Sequence, residues 1–312
     1  MATKKGKGGT GPENYDPNTG QYIKEGSSSD SNIDTTHMTE KEIENHNKDK
    51  TINVPHFEKN FVPFLKELLS RYSTKVTLHS VEEMDKYSPG LTERLDKQGI
   101  DYVINNNGKW RTIDLKSIQP FNGILSTMIT LPIEKFDSKV YDKSKKVQGK
   151  HVADWFAKDN FTDNLAFQFL TESNYESPEA FIIGKTELKQ TIFKNYFEDY
   201  ASNIEETFER LRNEFVTAKN QILNQNVDIS KYGFYPSYED KKVSYISKTF
   251  ASKKYGHITA KMKFEYTDDG KVNHSLVLLC PKKYLKKQID YVSLNREEKE
   301  KHDASKLFGE VL

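Results

Sequence analysis

The sequence predicts an α/β fold, a mixed central β-sheet flanked by helices behind a disordered N-terminal tail, and three observations predict it. Phe57, Phe61, Phe64, Leu65, Leu68, Leu69 and Tyr72 recur at three- and four-residue spacing, the stripe of an amphipathic helix. Residues 99–117 alternate apolar and polar side chains on both sides of Asn105-Asn106-Asn107-Gly108, the pattern of two strands joined by a tight turn. Apolar runs of strand length at 165–170 and 180–183 then precede a long helical stretch, so strands and helices share a core.

Composition bounds the rest. The 312 residues suffice for a sizeable core, but 35% hydrophobic against 30% charged residues lies on the polar side of average. Residues 1–52, rich in Gly, Ser, Asn, Asp and Lys, are expected to be the disordered tail. A net charge of +1 excludes a global positive field, so any nucleic-acid surface must be a local patch. The one cysteine, Cys280, excludes an internal disulfide, and its place at the end of an apolar run makes it a buried structural thiol. No apolar run reaches the length of a membrane span and the N-terminus lacks a signal-peptide core, which predicts a soluble, cytoplasmic protein.

In chain order, residues 53–226 read as the α/β core. Pro63 either kinks the 57–72 helix or marks its first turn. A strand is expected at 75–79, with a structural His79, followed by polar helical turns at 81–97 around Pro89-Gly90. After the hairpin comes a strand at 124–133, and then a basic loop at 134–150. That loop's lysines, Lys143, Lys145 and Lys146 among them, could meet a phosphate backbone. Thr186 is expected to cap a helix that runs, with a break near Ala201-Ser202, to about Gln225 on a core stripe of Phe208, Leu211, Phe215 and Ile222. Strands at 241–249, 256–266 and 272–280, the last two joined by Thr267-Asp268-Asp269-Gly270, make 227–290 a β-rich extension of the core or a small second domain. Its basic and aromatic residues continue into a short helix carrying Lys282 and Lys283, a second candidate nucleic-acid surface. Residues 291–312 read as a charged C-terminal tail.

The chemistry concentrates in the hairpin. With an even number of residues in the turn, directly opposed positions have numbers summing to an odd value. Asp101, Val103, Trp110, Thr112, Asp114 and Lys116 then share one face, and Ile100, Tyr102, Ile104, Ile113 and Leu115 share the other with Arg111. Opposed or diagonal neighbours lie roughly 5–8 Å apart, so Asp101 and Asp114 could hold one hard divalent cation, Mg²⁺ or Mn²⁺, with positions left for a phosphate. Thr112 and Trp110 would shape the site.

These residues resemble the PD-(D/E)XK nuclease superfamily, whose signature is an acid on one strand and Asp/Glu-x-Lys on the next. Asp101, Asp114 and Lys116 match it, Asp114-Leu115-Lys116 being the D-x-K element, while Ile100 stands in place of the name-giving proline. The resemblance covers mainly residues 55–120. It implies a restriction-endonuclease-like core and Mg²⁺-dependent hydrolysis of phosphodiesters, foremost in DNA, with Asp101 and Asp114 on the metal and Lys116 assisting. In that superfamily the preceding helix often lends the metal another acid, here Glu58 or Glu67, with Glu58 the candidate ligand. A polar residue on a later core strand often lies near the lysine, which makes Gln168 a candidate accessory group. The segment Asn14-Tyr15-Asp16-Pro17-Asn18-Thr19-Gly20-Gln21-Tyr22 resembles short stretches near the starts of phage and mobile-element proteins, and with it a homodimer or a phage-encoded partner is open. Two readings compete: a nuclease-like fold that binds nucleic acid or builds a phage structure without cleaving, and an ordinary Asp–Lys pair on a polar sheet face.

Overall fold

The computed structural model describes residues 15–16, 21–22, 53–119, 126–142, 147–158, 160–170, 179–225, 227–268 and 270–308. The chain forms two compact units, one of residues 1–44 with 137–150 and the other of residues 45–136 with 151–312. In the first, Tyr15–Asp16 pairs antiparallel with Gln21–Tyr22 inside the turn-rich island. The rest of the expected 1–52 tail lies outside the described residues.

The second unit begins with α1 (Val54–Asn60) and α2 (Val62–Tyr72). Both carry a proline in their first turn, where a missing N–H costs nothing, so Pro63 starts a new helix and the expected single helix breaks at Phe61. β1 (Val76–Ser80) follows, then a 3₁₀ turn and the short helix α3 (Leu91–Asp96). β2 (Tyr102–Asn106) and β3 (Lys109–Ile118) are joined by Asn107 and Gly108 alone, at φ +51° and +85°. Two successive left-handed residues make the two-residue turn that matches strand twist, and Asn105 Oδ1 accepts from the Gly108 N–H at 2.8 Å.

β4 (Met128–Asp142) and β5 (Val147–Ala153) come next, their residues 137–142 and 147–150 belonging to the first unit, so the expected basic loop at 134–150 is largely strand. Lysines are frequent in this stretch, but the strand expected before it, with Ile129, Leu131 and Ile133 alternating inward, runs on into it as far as Asp142. β6 (Asn164–Phe169) and β7 (Glu179–Gly184) are the two buried runs. α4 (Lys185–Ile192) starts one residue before the expected cap: Gly184 holds the N-cap position, and Thr186 lies inside the helix. α5 (Ile204–Asn224) is capped by Asn203, whose side chain accepts from the Glu206 N–H. Then come β8 (Tyr235–Glu239), β9 (Lys242–Ser252), β10 (Gly256–Tyr266), β11 (Val272–Pro281), α6 (Lys282–Gln288) and β12 (Val292–Ser293).

Two six-stranded sheets result. The first has the order β12-β7-β6-β3-β2-β1, antiparallel except where β3 and β6 run parallel; the second has the order β8-β9-β10-β11-β4-β5. The parallel pair requires a crossover, and β4 and β5 lie within it, so the chain visits the second sheet between two strands of the first. One core cluster joins Leu165, Phe167, Phe169 and Phe181 of the first sheet to Ile129, Leu131, Ile133, Met262 and Leu278 of the second, and to Phe208, Leu211 and Phe215 of α5. Residues 227–290 therefore extend the core. Each of these buried side chains contributes about 1.5–3 kcal/mol by leaving water.

The other face of the first sheet is covered by α1, α2 and the C-terminal segment. The expected charged tail is folded over its described part: β12 pairs with β7, and Ala304, Leu307 and Phe308 are buried against α2 and the sheet. Tyr72 stacks on Phe308 with ring centroids 5.2 Å apart, and Arg111 donates to the Phe308 carbonyl at 3.2 Å. Among the described residues, no helix is long and apolar enough to cross a membrane.

Candidate active site

The two-residue turn fixes the hairpin register as Tyr102↔Ile113, Val103↔Thr112 and Asn105↔Trp110, opposed numbers summing to 215 throughout. Tyr102, Ile104 and Ile113 accordingly enter the core under α1 and α2, and Leu115 packs against it. Asp114 and Lys116 project from the opposite face, beside Leu165 and Phe167 of the parallel strand β6. Asp101 precedes β2 and steps out of this register: its N–H donates at 3.0 Å to the Ile113 carbonyl, opposite Tyr102, and its Oδ2 accepts from the Leu115 N–H at 2.6 Å, so the parity expected to set it against Asp114 does not extend to it. That second bond holds the Asp101 carboxylate against the β3 backbone at Leu115.

Asp114 is only 2% exposed and is ion-paired to Lys116, Oδ1 to Nζ at 2.6 Å. Burial pushes its carboxyl up to about 6, against the opposing pull of Lys116 and Lys185. Lys116 Nζ also sits 4.9 Å from the centroid of the Trp155 ring, which fixes the ammonium without neutralising it. Gly99, in the left-handed region at φ +74°, runs close behind the carboxylate: a Cβ there would lie 3.8 Å from Asp114 Oδ2. A buried acid with a shifted pKa and a cation beside it is a common mark of a functional site.

Trp155 and Lys185 were missed by sequence reasoning. Lys185 is 4% exposed, opens α4 after a buried strand, and donates to the Lys158 carbonyl at 2.9 Å and Asn160 Oδ1 at 2.6 Å. Nothing local in the sequence marks it, because its neighbours come from a loop far away along the chain.

The other expected site residues are spread more widely. Thr112 is on the site face but is tied down by Asp163 and the Phe161 carbonyl. Trp110 lies further out, edge-on to Tyr87 at 5.2 Å. Glu58 lines a cleft with Leu78, Ser80 and Tyr102 on the α1 and α2 side of the sheet, whereas Asp114 and Lys116 project from the other side. Burial first, then the charges of Glu58 and Asp101, hold the Tyr102 hydroxyl far above its ordinary range. Glu67 pairs with Arg71 and Arg296 on the surface. Gln168 is fully buried but faces away from Lys116: it donates to Ser117 Oγ at 2.7 Å and to the Asn53 carbonyl at 2.9 Å, tying β6 to the start of α1. Lys143, Lys145 and Lys146 lie outside the described residues. Lys282 is engaged by Glu179 and the Phe169 ring, while Lys283 is exposed beside Tyr284. Cys280 is fully buried and its thiol is pushed up by that burial, which makes it structural.

A second polar cluster lies on the other sheet. Glu134 of β4, His151 of β5 and His274 of β11 bring one ligand atom each within 4.8 Å of one another, an arrangement that could hold a metal ion. Comparison with protein-family models, with curated proteins and with solved structures finds no match to the chain.

Proposed function

We propose that the protein is a metal-dependent nuclease of PD-(D/E)XK type that hydrolyses phosphodiester bonds, foremost in DNA. The observation that supports this reading is the D-x-K element of β3: Asp114 is buried and ion-paired to Lys116 on the same face, with Asp101 at the mouth of β2 bonded to the intervening Leu115 N–H. The sheet around the trio supports it too, because β1, β2 and β3 are antiparallel and β3 runs parallel to the next core strand, with α2 leading in.

The donor set fits Mg²⁺ or Mn²⁺: two carboxylates and no sulfur, with Asp114 keeping Oδ2 beyond its lysine contact and Asp101 held across the strand by its backbone bond. Bound there, such an ion would lower the pKa of a water and neutralise charge on the phosphoryl group. The chain's own part is positioning. Asp101 is oriented by the Leu115 N–H and Asp114 by burial and by Lys116, so neither needs to reorganise when a substrate arrives. Lys116, steadied by Trp155, would swing its Nζ from Asp114 to an oxygen of the scissile phosphate or to the attacking water. Loss of metal-dependent DNA cleavage by about 10²-fold or more is expected for Asp114→Ala and for Lys116→Ala, measured on a labelled duplex with Mg²⁺ and with Mn²⁺. Undiminished cleavage in both variants would reject the assignment.

A further inference from the structure

We propose that Glu134, His151 and His274 form a binding site for a transition-metal dication, Zn²⁺ by preference, separate from the hairpin acids. The ligand atoms are already spaced for it. His274 Nε2 lies 3.1 Å from Glu134 Oε1, and His151 Nδ1 lies 3.8 Å from the same oxygen. A tetrahedral Zn²⁺ with bonds of about 2.0–2.1 Å separates neighbouring ligand atoms by about 3.3–3.4 Å, between those two values. The imidazoles stack with centroids 3.7 Å apart and 24° between planes, so binding one ion would open the ring pair by roughly 35°, until both ring planes meet at one point beside Oε1.

The surroundings hold the carboxylate in the pose a ligand needs. Arg212 of α5 pairs with Glu134 Oε2 at 3.2 Å, which leaves Oε1 turned towards the histidines. His274 is the most buried of the three, with Lys219 Nζ 3.2 Å from its Nδ1. Nε2 is therefore the nitrogen presented to Glu134. When a cation takes Nε2, Nδ1 becomes a donor, and Lys219 turns to the Val272 carbonyl it already contacts. His151 is the most open ligand, its side chain 30% exposed, so ion entry and a water at the fourth position are on its side. Two imidazoles and one carboxylate select Zn²⁺ or a neighbouring transition metal over Mg²⁺, which takes oxygen ligands. The ligands come from three strands of one sheet, β4, β5 and β11, so the ion would act as a clip across it.

The full chain, dialysed against chelator, is titrated calorimetrically with Zn²⁺, beside Glu134→Gln, His151→Ala and Asp114→Asn. One equivalent should bind the parent and Asp114→Asn alike. Binding should weaken about 100-fold or more in the other two variants, because even second-shell changes around a metal cost 10–100-fold. His151→Ala changes the most exposed ligand and should keep the far-ultraviolet circular dichroism of the parent, so lost binding there is not lost folding. At a hundredfold excess over Kd, Zn²⁺ should raise the parent's Tm by about 5 °C, and His151→Ala should show no such rise. Absence of binding to the parent overturns the proposal. So does parent-like binding in His151→Ala and Glu134→Gln, or binding that disappears in Asp114→Asn instead.

Discussion

Asp114 is an acid that the fold keeps from water, and its carboxyl is pushed up to about 6 against an ordinary 3.8. Below about pH 4 it is protonated folded or unfolded, and the fold bears no cost. Between about pH 4 and 6 the folded chain holds a proton the unfolded chain has released, so stability falls as pH rises, and above 6 that contribution is gone. At ~1.4 kcal/mol per pH unit the whole window is worth about 3 kcal/mol. Asp114→Asn should remove this slope: urea unfolding at pH 4 and pH 7 should show the variant gaining about 3 kcal/mol on the parent across the interval. Parallel pH profiles for the two proteins would show that burial does not govern this group. Cleavage should follow the opposite course, falling as pH drops through about 6 and the acid loses its charge. Asp114 and Lys116 were legible as one face because a period of two and an Asn-Gly turn act by local rules, whereas Asp101 lies just before the paired strand, where that parity stops. Lys185 and Trp155 were not, since only tertiary folding brings them to Lys116 and Asp114.

Among the elements, turns carry the most exacting requirements. Gly108, at φ +85°, has open space where a Cβ would go, so Gly108→Ala costs only backbone strain, about 1–2 kcal/mol. Gly256, at φ +82°, would place a Cβ 2.5 Å from the Tyr284 ring, adding a steric cost to the same strain. Thermal unfolding should therefore rank Gly256→Ala well below Gly108→Ala. Adding Tyr284→Ala should rescue part of the Gly256→Ala loss, a coupling that independent sites would not show. Equal melting of the two glycine variants would show that the ring yields without cost. These turns and the strands beside them were readable because the signal is local. β8 escaped notice because Pro236 sits within it, and a proline is tolerated only at a sheet edge, where β8 lies. The strands of 134–150 escaped because lysine-rich composition outweighed the few inward residues that decide a strand.

Across the molecule, the second sheet and the C-terminal segment both close on the first sheet. Charged composition made 291–312 read as a tail, yet the spacing of Val292, Leu294, Ala304, Leu307 and Phe308 supplies part of the core over the hairpin's apolar face. Phe308→Ala should cost about 3–5 kcal/mol, the range for a buried aromatic, and a chain ending at residue 291 should melt at lower temperature still. A truncated chain as stable as the parent would show that this segment is not part of the core. The Glu134, His151 and His274 cluster illustrates the limit of reading a sequence in order. Glu134 and His151 come from the consecutive strands β4 and β5, but His274 comes from β11, 140 residues beyond Glu134, and no spacing rule joins it to them.

If Asp101 and Asp114 together hold the cation that cleaves phosphodiesters, neither carboxylate alone should suffice to bind it. Mg²⁺ is titrated calorimetrically into the parent, Asp101→Asn and Asp114→Asn, each with a short DNA duplex and with Zn²⁺ removed. Saturable binding to the parent that both substitutions abolish is the predicted result. Mg²⁺ binding unchanged by either substitution, or none to the parent with DNA present, would contradict it and leave the trio as an ion pair on a sheet face.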